Sequence, residues 1–179
     1  MRIAINIVAF YAAWFAAVLA AAKGWPVAAA CAGLAVVVLH LVISARKGAE
    51  FGLIVASALA GFAVETALVQ AGLASYASSG PFEGFAPFWL VALWMAFATL
   101  VNVSLAWLKS RLWLAIVFAA IGGPLSYYAG AKLGGMTLAD PLWVSLAAIG
   151  VLWAVAFPAL VILARVTDSE PATATASGH

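Results

Sequence analysis

Charged residues are scarce in this sequence of 179 residues: they form 8% of it, against roughly 25% in a soluble domain. Six acidic and eight basic side chains cannot cover a core when 68% of the residues are hydrophobic. The mean hydropathy of +1.17 points the same way. The composition therefore predicts an integral membrane protein and excludes most soluble enzyme folds. A net charge of +2 without a basic run also argues against a nucleic-acid partner.

Cysteine and histidine are equally rare. The single cysteine, Cys31, cannot form an intrachain disulfide. A zinc or di-iron site needs three or four close ligands, whereas the apolar segments offer only His40, Cys31 and Glu65, at different depths. A haem held by two histidines would need a second histidine within these segments, and there is none. No Walker loop or serine-hydrolase motif occurs either. We therefore predict no metal and no other cofactor.

Long apolar runs are what the sequence has in abundance. A spanning helix needs about 20 apolar residues, and six such segments can be recognised, at about 3–22, 25–45, 50–73, 87–108, 112–131 and 141–165. Pro26, Pro87 and Pro141 begin alternate segments, and proline suits the first position of a helix. We predict an all-α polytopic membrane protein, a six-helix transmembrane bundle over residues 1–166. The polar residues 167–179 are expected to form a disordered tail.

The distribution of basic residues predicts the orientation of the bundle. With six spans, two basic residues lie on one side, Lys23 and Lys132, and six on the other: Arg2, Arg46, Lys47, Lys109, Arg111 and Arg165. This asymmetry favours cytoplasmic termini. Cleavage of the first segment as a signal peptide is an alternative, because small residues end it at 20–22. Its near-spanning length and its polar and aromatic residues argue against cleavage, and the alternative stays open.

Glu65 is the most informative single residue. It lies well inside the third segment, where an acid costs several kcal/mol unless it is protonated or paired. Ser57, Gly61 and Glu65 are spaced four residues apart, so they share a stripe of the kind that packs on another helix. We expect Glu65 to face the fourth and fifth helices, with Ser126, Tyr127 and the carbonyls freed at Pro124 as partners. It could serve as interhelical glue or as a ligand or proton site.

The fifth segment contains the run Gly122-Gly123-Pro124 followed by Ser126 and Tyr127. Proline removes a backbone donor and clashes with the preceding turn, so we predict a break in the helix here. Freed carbonyls within a membrane must be satisfied by protein or by a cavity. The segment is therefore either a simple bend or the wall of a pocket. In the same bundle, Trp14 and Trp94 lie deep enough to be core or pocket wall.

A second polar layer is predicted near the cytoplasmic side. Asn6, His40 and Asn102 lie within roughly 6–11 Å of that boundary, counted at 1.5 Å per residue. His40 is either a hydrogen-bonded structural residue or a proton relay. Because we expect no second ionisable residue at its depth, an enzyme that uses His40 as a base is the weakest interpretation.

Two sequence runs carry a resemblance to a known family. The first run, residues 87–108, contains PFWL, LWMAFATL, Asn102 and the SL and WL pairs that follow it. The second run, residues 122–134, contains GGPLSY, Gly130 and a final LG. With Asn6, Tyr11 and Trp14 of the first segment, they resemble the bacterial inner-membrane family known as domain of unknown function 2878. The resemblance covers the chain to about residue 165. The family's third-helix acid is usually an aspartate, whereas this chain has Glu65, one methylene longer.

The resemblance implies a fold and an inner-membrane location, but no reaction. It also suggests an accessory role beside a lipid-modifying enzyme. From the residues, we expect a protein that binds or handles a membrane lipid or another apolar small molecule. The alternative is a proton-coupled small-molecule transporter that uses Glu65. The substrate and the oligomeric state cannot be read from the sequence.

Overall fold

The computed structural model describes residues 1–79 and 82–169, and its described part is dominated by six α-helices. They are α1 (Arg2–Ala22), α2 (Pro26–Ile43), α3 (Lys47–Gln70), α4 (Phe88–Val101), α5 (Leu112–Lys132) and α6 (Leu142–Ser169). A short 3-10 helix spans Ala106–Ser110. Five of the six helices are long and apolar enough to cross a membrane, and α4 is apolar but shorter. The prediction of an all-α, polytopic membrane bundle is confirmed.

The fourth helix differs from its predicted length. The sequence predicted a span over residues 87–108, but α4 ends at Val101 after 14 residues, or about 21 Å. Turns and the 3-10 helix complete the segment. Almost every α4 residue from Trp89 to Val101 is buried, because α4 packs against α1, α2, α3 and α6. A helix surrounded by protein does not need the length that lipid contact on all sides would demand.

The two ends of the bundle have different characters. One end carries Met1, the α2–α3 turn, the α4–α5 connection and the last turn of α6, and we call it the basic end. At the opposite end, strand β1 (Ala74–Tyr76) pairs with strand β2 (Met136–Leu138) in an antiparallel ribbon. We call this the ribbon end. Both strands lie between the predicted apolar segments, and the ribbon joins the α3–α4 connection to the α5–α6 connection.

Helix α5 is continuous where the sequence predicted a break. It remains α-helical through Gly122, Gly123 and Pro124 as far as Lys132, so the helix is not interrupted there, and a kink at Pro124 stays a prediction. The carbonyl four residues before the proline belongs to Ala120, and α6 approaches it closely at Gly150. A Cβ added there would lie 3.0 Å from the Ala120 oxygen and 3.3 Å from the proline ring. Tight packing of α6 thus covers the altered turn and keeps it helical.

Helix α6 extends three residues into the segment predicted to be disordered. It ends at Ser169, so the start of that prediction at residue 167 is corrected, whereas residues 170–179 lie outside the described part. The last turn is held by Asp168, whose carboxylate oxygens lie 2.5 Å from Arg46 and 2.5 Å from Lys109. Arg46 also donates to the carbonyl of Thr167. These contacts tie the end of α6 to the α2–α3 turn and to the 3-10 helix.

Candidate functional site

A cavity of about 420 Å³ lies between α1, α4, α5 and α6. Helix α1 packs on α2 and α4, and α5 packs on α6, so α1 and α5 form the two flanks of the cavity. The lining extends on α5 from Phe118 to Ala129, which corresponds to about 16 Å along the helix axis. Ten of the lining side chains are aromatic. The cavity is therefore an elongated apolar slot with a volume typical of small-molecule sites.

The slot opens towards the outside of the bundle. Tyr11 and Phe15 of α1 line it and are 55% and 49% exposed. On the other flank, Leu125 of α5 lines it and is 61% exposed. These residues belong to two of the helices that are long and apolar enough to span a membrane. The entrance therefore faces the region that hydrocarbon chains occupy around a transmembrane bundle.

Glu65 lies in the wall of the slot and is completely buried. Its carboxyl group accepts hydrogen bonds from Nε1 of Trp94, at 2.7 Å, and from the hydroxyl groups of Tyr76 and Tyr127. The side chain thus faces α4 and α5, in the direction that the sequence predicted. The predicted partners were correct only for Tyr127. Ser126 donates instead to the carbonyl of Gly123 in its own helix, at 2.8 Å.

The stripe on α3 explains how Trp94 reaches Glu65. Ser57 donates to the main-chain oxygen of Trp94 at 2.7 Å, which fixes α3 against α4. One turn further, a Cβ added to Gly61 would lie 2.2 Å from Cγ of Trp94. Only glycine leaves room for the indole at this position. The Trp94 ring therefore lies flush against α3, with its N–H directed at the acid one turn beyond.

A second indole extends this arrangement across the slot. The rings of Trp94 and Trp153 have centroids 4.5 Å apart and an interplanar angle of 33°. Trp153 in turn lies against Gly123 of α5, where an added Cβ would be 2.6 Å from its Cγ. Two adjacent indoles therefore fill the space between α3 and α5 and form part of the cavity wall.

The five candidates predicted for a ligand or proton site are brought together around one cavity. Glu65, Ser126, Tyr127, Trp14 and Trp94 all line the slot. The structure gives them a common location, and their role as a ligand or proton site stays a prediction.

Tyr76 is the partner of Glu65 that the sequence reasoning missed. It is the last residue of β1, which lies outside the predicted apolar segments, between the third and the fourth. Burial raises the pKa of the Tyr76 phenol well above its usual range, and the nearby carboxyl of Glu65 raises it further. The phenol therefore stays protonated and donates. With Tyr127 and Trp94 it presents three donors to a group that, when ionised, is acceptor-only.

The second polar layer is centred on an acid that the sequence analysis did not single out. Glu50, in the first turn of α3, accepts from Asn102 at 3.0 Å and pairs with Nε2 of His40 at 3.0 Å. The expectation that His40 has no ionisable neighbour at its depth is therefore wrong. Glu50 was overlooked because it stands at the start of the third apolar segment, where charges ordinarily mark a boundary. Lys109 extends the network by donating to Asn102.

Asn6 lies near this network but binds elsewhere. Its amide donates to the carbonyl of Thr99 at 3.2 Å, and its carbonyl oxygen accepts from Ser104 at 2.5 Å. Asn6, His40 and Asn102 nevertheless line one cavity of about 210 Å³ at the basic end. Within residues 1–79 and 82–169, no group of three histidine, cysteine or acidic side chains is arranged to hold a metal ion.

Comparison with protein families identifies the chain. The model of a family described as protein of unknown function, DUF2878, matches residues 3–159. The chain belongs to this family. The matched range begins in α1 and ends within α6, so it includes every residue that lines the slot. This agrees with the resemblance of residues 87–108 and 122–134. Membership of DUF2878 supplies no reaction, and comparisons with curated proteins and with solved structures gave no match.

Proposed function

We propose that this DUF2878 protein binds a lipid or another apolar small molecule in the slot between α1 and α5. The observation that carries the proposal is an aromatic-lined cavity of about 420 Å³ whose entrance faces the hydrocarbon region. An apolar molecule can enter from the bilayer sideways without crossing water. Within the slot the molecule exchanges contacts with lipid chains for contacts with aromatic side chains. The polar cluster around Glu65 can then fix the orientation of the bound molecule.

Gly122 offers a way to block the slot with little disturbance of the bundle. It lines the cavity, and a Cβ added there meets nothing within 4 Å. Gly122→Leu therefore places a side chain inside the slot. Gly52→Leu is the matched control, because an added Cβ at the exposed Gly52 also meets nothing within 4 Å and this residue does not line the slot. Both changes replace a helical glycine with a good helix former.

The test is native mass spectrometry of the three proteins released from mild detergent. We expect wild type and Gly52→Leu to carry a bound lipid-sized molecule and Gly122→Leu to lose it. Equal retention by both variants, or no adduct on any of them, would contradict the proposal. Glu65→Gln extends the test, because replacing the carboxyl by an amide should weaken retention if Glu65 helps to orient the ligand.

The proposed location is the bacterial inner membrane with the basic end in the cytoplasm. The support is the excess of arginine and lysine at the basic end, against Lys23 and Lys132 at the ribbon end. Single cysteines placed at the exposed positions Ser79 and Asp168, in a Cys31→Ala background, should label from opposite sides of the membrane. Labelling from one side would contradict the orientation. We further propose that a bound lipid is passed to or from a lipid-modifying enzyme, which co-purification of a defined enzyme with the intact bundle would test.

A proton-coupled transporter is the second candidate. The observation that favours it is that the carboxyl of Glu65 is hydrogen-bonded to two phenols, whose hydroxyl groups can each both donate and accept a hydrogen bond. Such a transporter should move protons across proteoliposomes only when its substrate is present. Glu65→Gln should abolish that flux while preserving the fold. A binding protein without transport would show no flux in either form.

A further inference from the structure

The polar end of the slot contains one donor whose hydrogen bond is not made. Nε1 of Trp153 is buried and makes no well-formed hydrogen bond among the described residues, although the Tyr127 hydroxyl lies near it. The indole lies beside Tyr127, with ring centroids 6.3 Å apart, and both residues line the slot. A buried N–H without an acceptor is unfavourable, and a ligand that brings an acceptor gains the missing interaction.

The rest of the lining restricts the charge of that acceptor. Among the described residues that line the slot, none is lysine, arginine or histidine, and the only carboxylic acid is Glu65. An anionic head group would therefore be taken out of water without a cation to pair with it, beside an acidic side chain. A quaternary ammonium group carries no acceptor atom for Trp153. A neutral oxygen atom supplies an acceptor for the N–H of Trp153 and brings no charge into the slot.

The shape of the slot restricts the remainder of the ligand. Tyr127 and Glu65 lie towards the ribbon end, whereas Phe118 and Phe157 line the part towards the basic end. Polar groups thus gather at one end of a slot about 16 Å long, measured along α5. This arrangement fits a single hydrocarbon chain with one polar terminus better than a two-chain lipid with a charged head.

We infer that the slot takes a single-chain lipid alcohol, with its hydroxyl oxygen accepting from Trp153 and its hydroxyl hydrogen donating into the Tyr127–Glu65 cluster. The inference rests on the proposed function and names its ligand class. A hydroxyl group is both donor and acceptor, so it completes the hydrogen bonding of this end without introducing charge. The chain then lies along the aromatic walls towards Phe157.

The test compares probes of one chain length that differ only at the terminus. Purified protein in mild detergent is titrated with hexadecane, 1-hexadecanol, hexadecanoate and hexadecyltrimethylammonium, and occupancy is read by native mass spectrometry. We expect the alcohol to bind most tightly. In Trp153→Phe, which keeps an aromatic ring and removes the N–H, the preference for the alcohol over hexadecane should fall about three- to tenfold, as expected for one neutral hydrogen bond. Trp143→Phe, at a position 70% exposed, is the matched control and should leave the preference unchanged.

The outcomes separate this inference from the proposed function. If hexadecane and the alcohol bind equally, if a charged probe binds best, or if Trp153→Phe leaves the preference unaltered, the lipid-alcohol inference is overturned and apolar binding stands. If no probe binds to folded wild-type protein, both fail. Should Trp153→Phe not fold, the indole N–H resonances of wild type decide. Addition of the alcohol must shift a buried indole N–H signal that hexadecane leaves in place, and the absence of that shift overturns the inference.

Discussion

Three buried donors depend on the carboxyl group of Glu65, so its replacement tests the construction of the whole site. Glu65→Leu removes the acceptor for Trp94, Tyr76 and Tyr127 at once. A buried donor left without a partner costs about 1–3 kcal/mol. Because the two phenols can rotate towards other acceptors, the lower part of that range applies, and the sum is about 3–6 kcal/mol. That is a large share of the 5–15 kcal/mol by which folded proteins are typically stable.

Glu65→Gln should behave differently although it also removes the acid. The amide oxygen still accepts a hydrogen bond, and its NH₂ group can donate to a phenol oxygen that turns around. We expect a cost of about 1 kcal/mol. At 2–4 °C per kcal/mol for a chain of this size, the melting temperature should fall by about 2–4 °C for glutamine and about 6–24 °C for leucine.

The assay is thermal unfolding in detergent, followed by circular dichroism. Ser57→Ala provides the matched control, since it removes one buried hydrogen bond, to the Trp94 carbonyl, from the same stripe of α3. It should cost about 0.5–1.5 kcal/mol. Equal melting temperatures for Glu65→Gln and Glu65→Leu would refute the reasoning, because the loss of three acceptor contacts would then have no energetic consequence.

Further substitutions test other parts of the bundle. Gly61→Ala should displace the indole of Trp94 and lower the melting temperature by several degrees, whereas Gly52→Ala should not, and equal effects would argue against close packing at Gly61. Glu50→Leu should cost about 2–5 kcal/mol, since it removes the acceptor of the buried His40 ring and of the half-buried Asn102 amide N–H at the basic end; chemical denaturation measures this. Asp168→Asn should cost only about 0.2–1 kcal/mol, less in high salt, because its ion pairs are partly exposed. A loss of several kcal/mol there would mean that the end of α6 is held far more tightly than its exposure indicates.

Hydropathy and small-residue spacing were sufficient to predict the helices and the direction of Glu65. Each apolar run is long enough to be recognised as a helical segment from its own residues alone. The stripe of Ser57 and Gly61 identifies the packed face of α3. Burial by neighbours is not encoded in such local patterns. Trp89 stands at the start of α4, a position typical of a tryptophan at the membrane interface, yet it is fully buried and donates to the carbonyl of Ser78 at 3.0 Å.

The partners of the acids were harder to predict because they depend on contacts distant in sequence. Tyr76 reaches Glu65 only because its three-residue strand pairs with a strand that begins 60 residues later, at Met136. No periodicity extends over so short a strand. Glu50 was missed for a different reason. Its partner Asn102 follows the last residue of α4, 52 positions away in sequence, and no local pattern predicts that contact.

The shortness and enclosure of α4 have a consequence for how the protein is assembled. A segment of 14 helical residues is a weak candidate for independent insertion into a bilayer. Three of its packing partners, α1, α2 and α3, precede it in the chain, and α6 follows. The earlier helices therefore offer α4 a docking surface as it is made, and the later part of the chain closes around it. Separate expression of residues 1–111 and 112–179 should yield a first fragment that already retains α4 in the membrane.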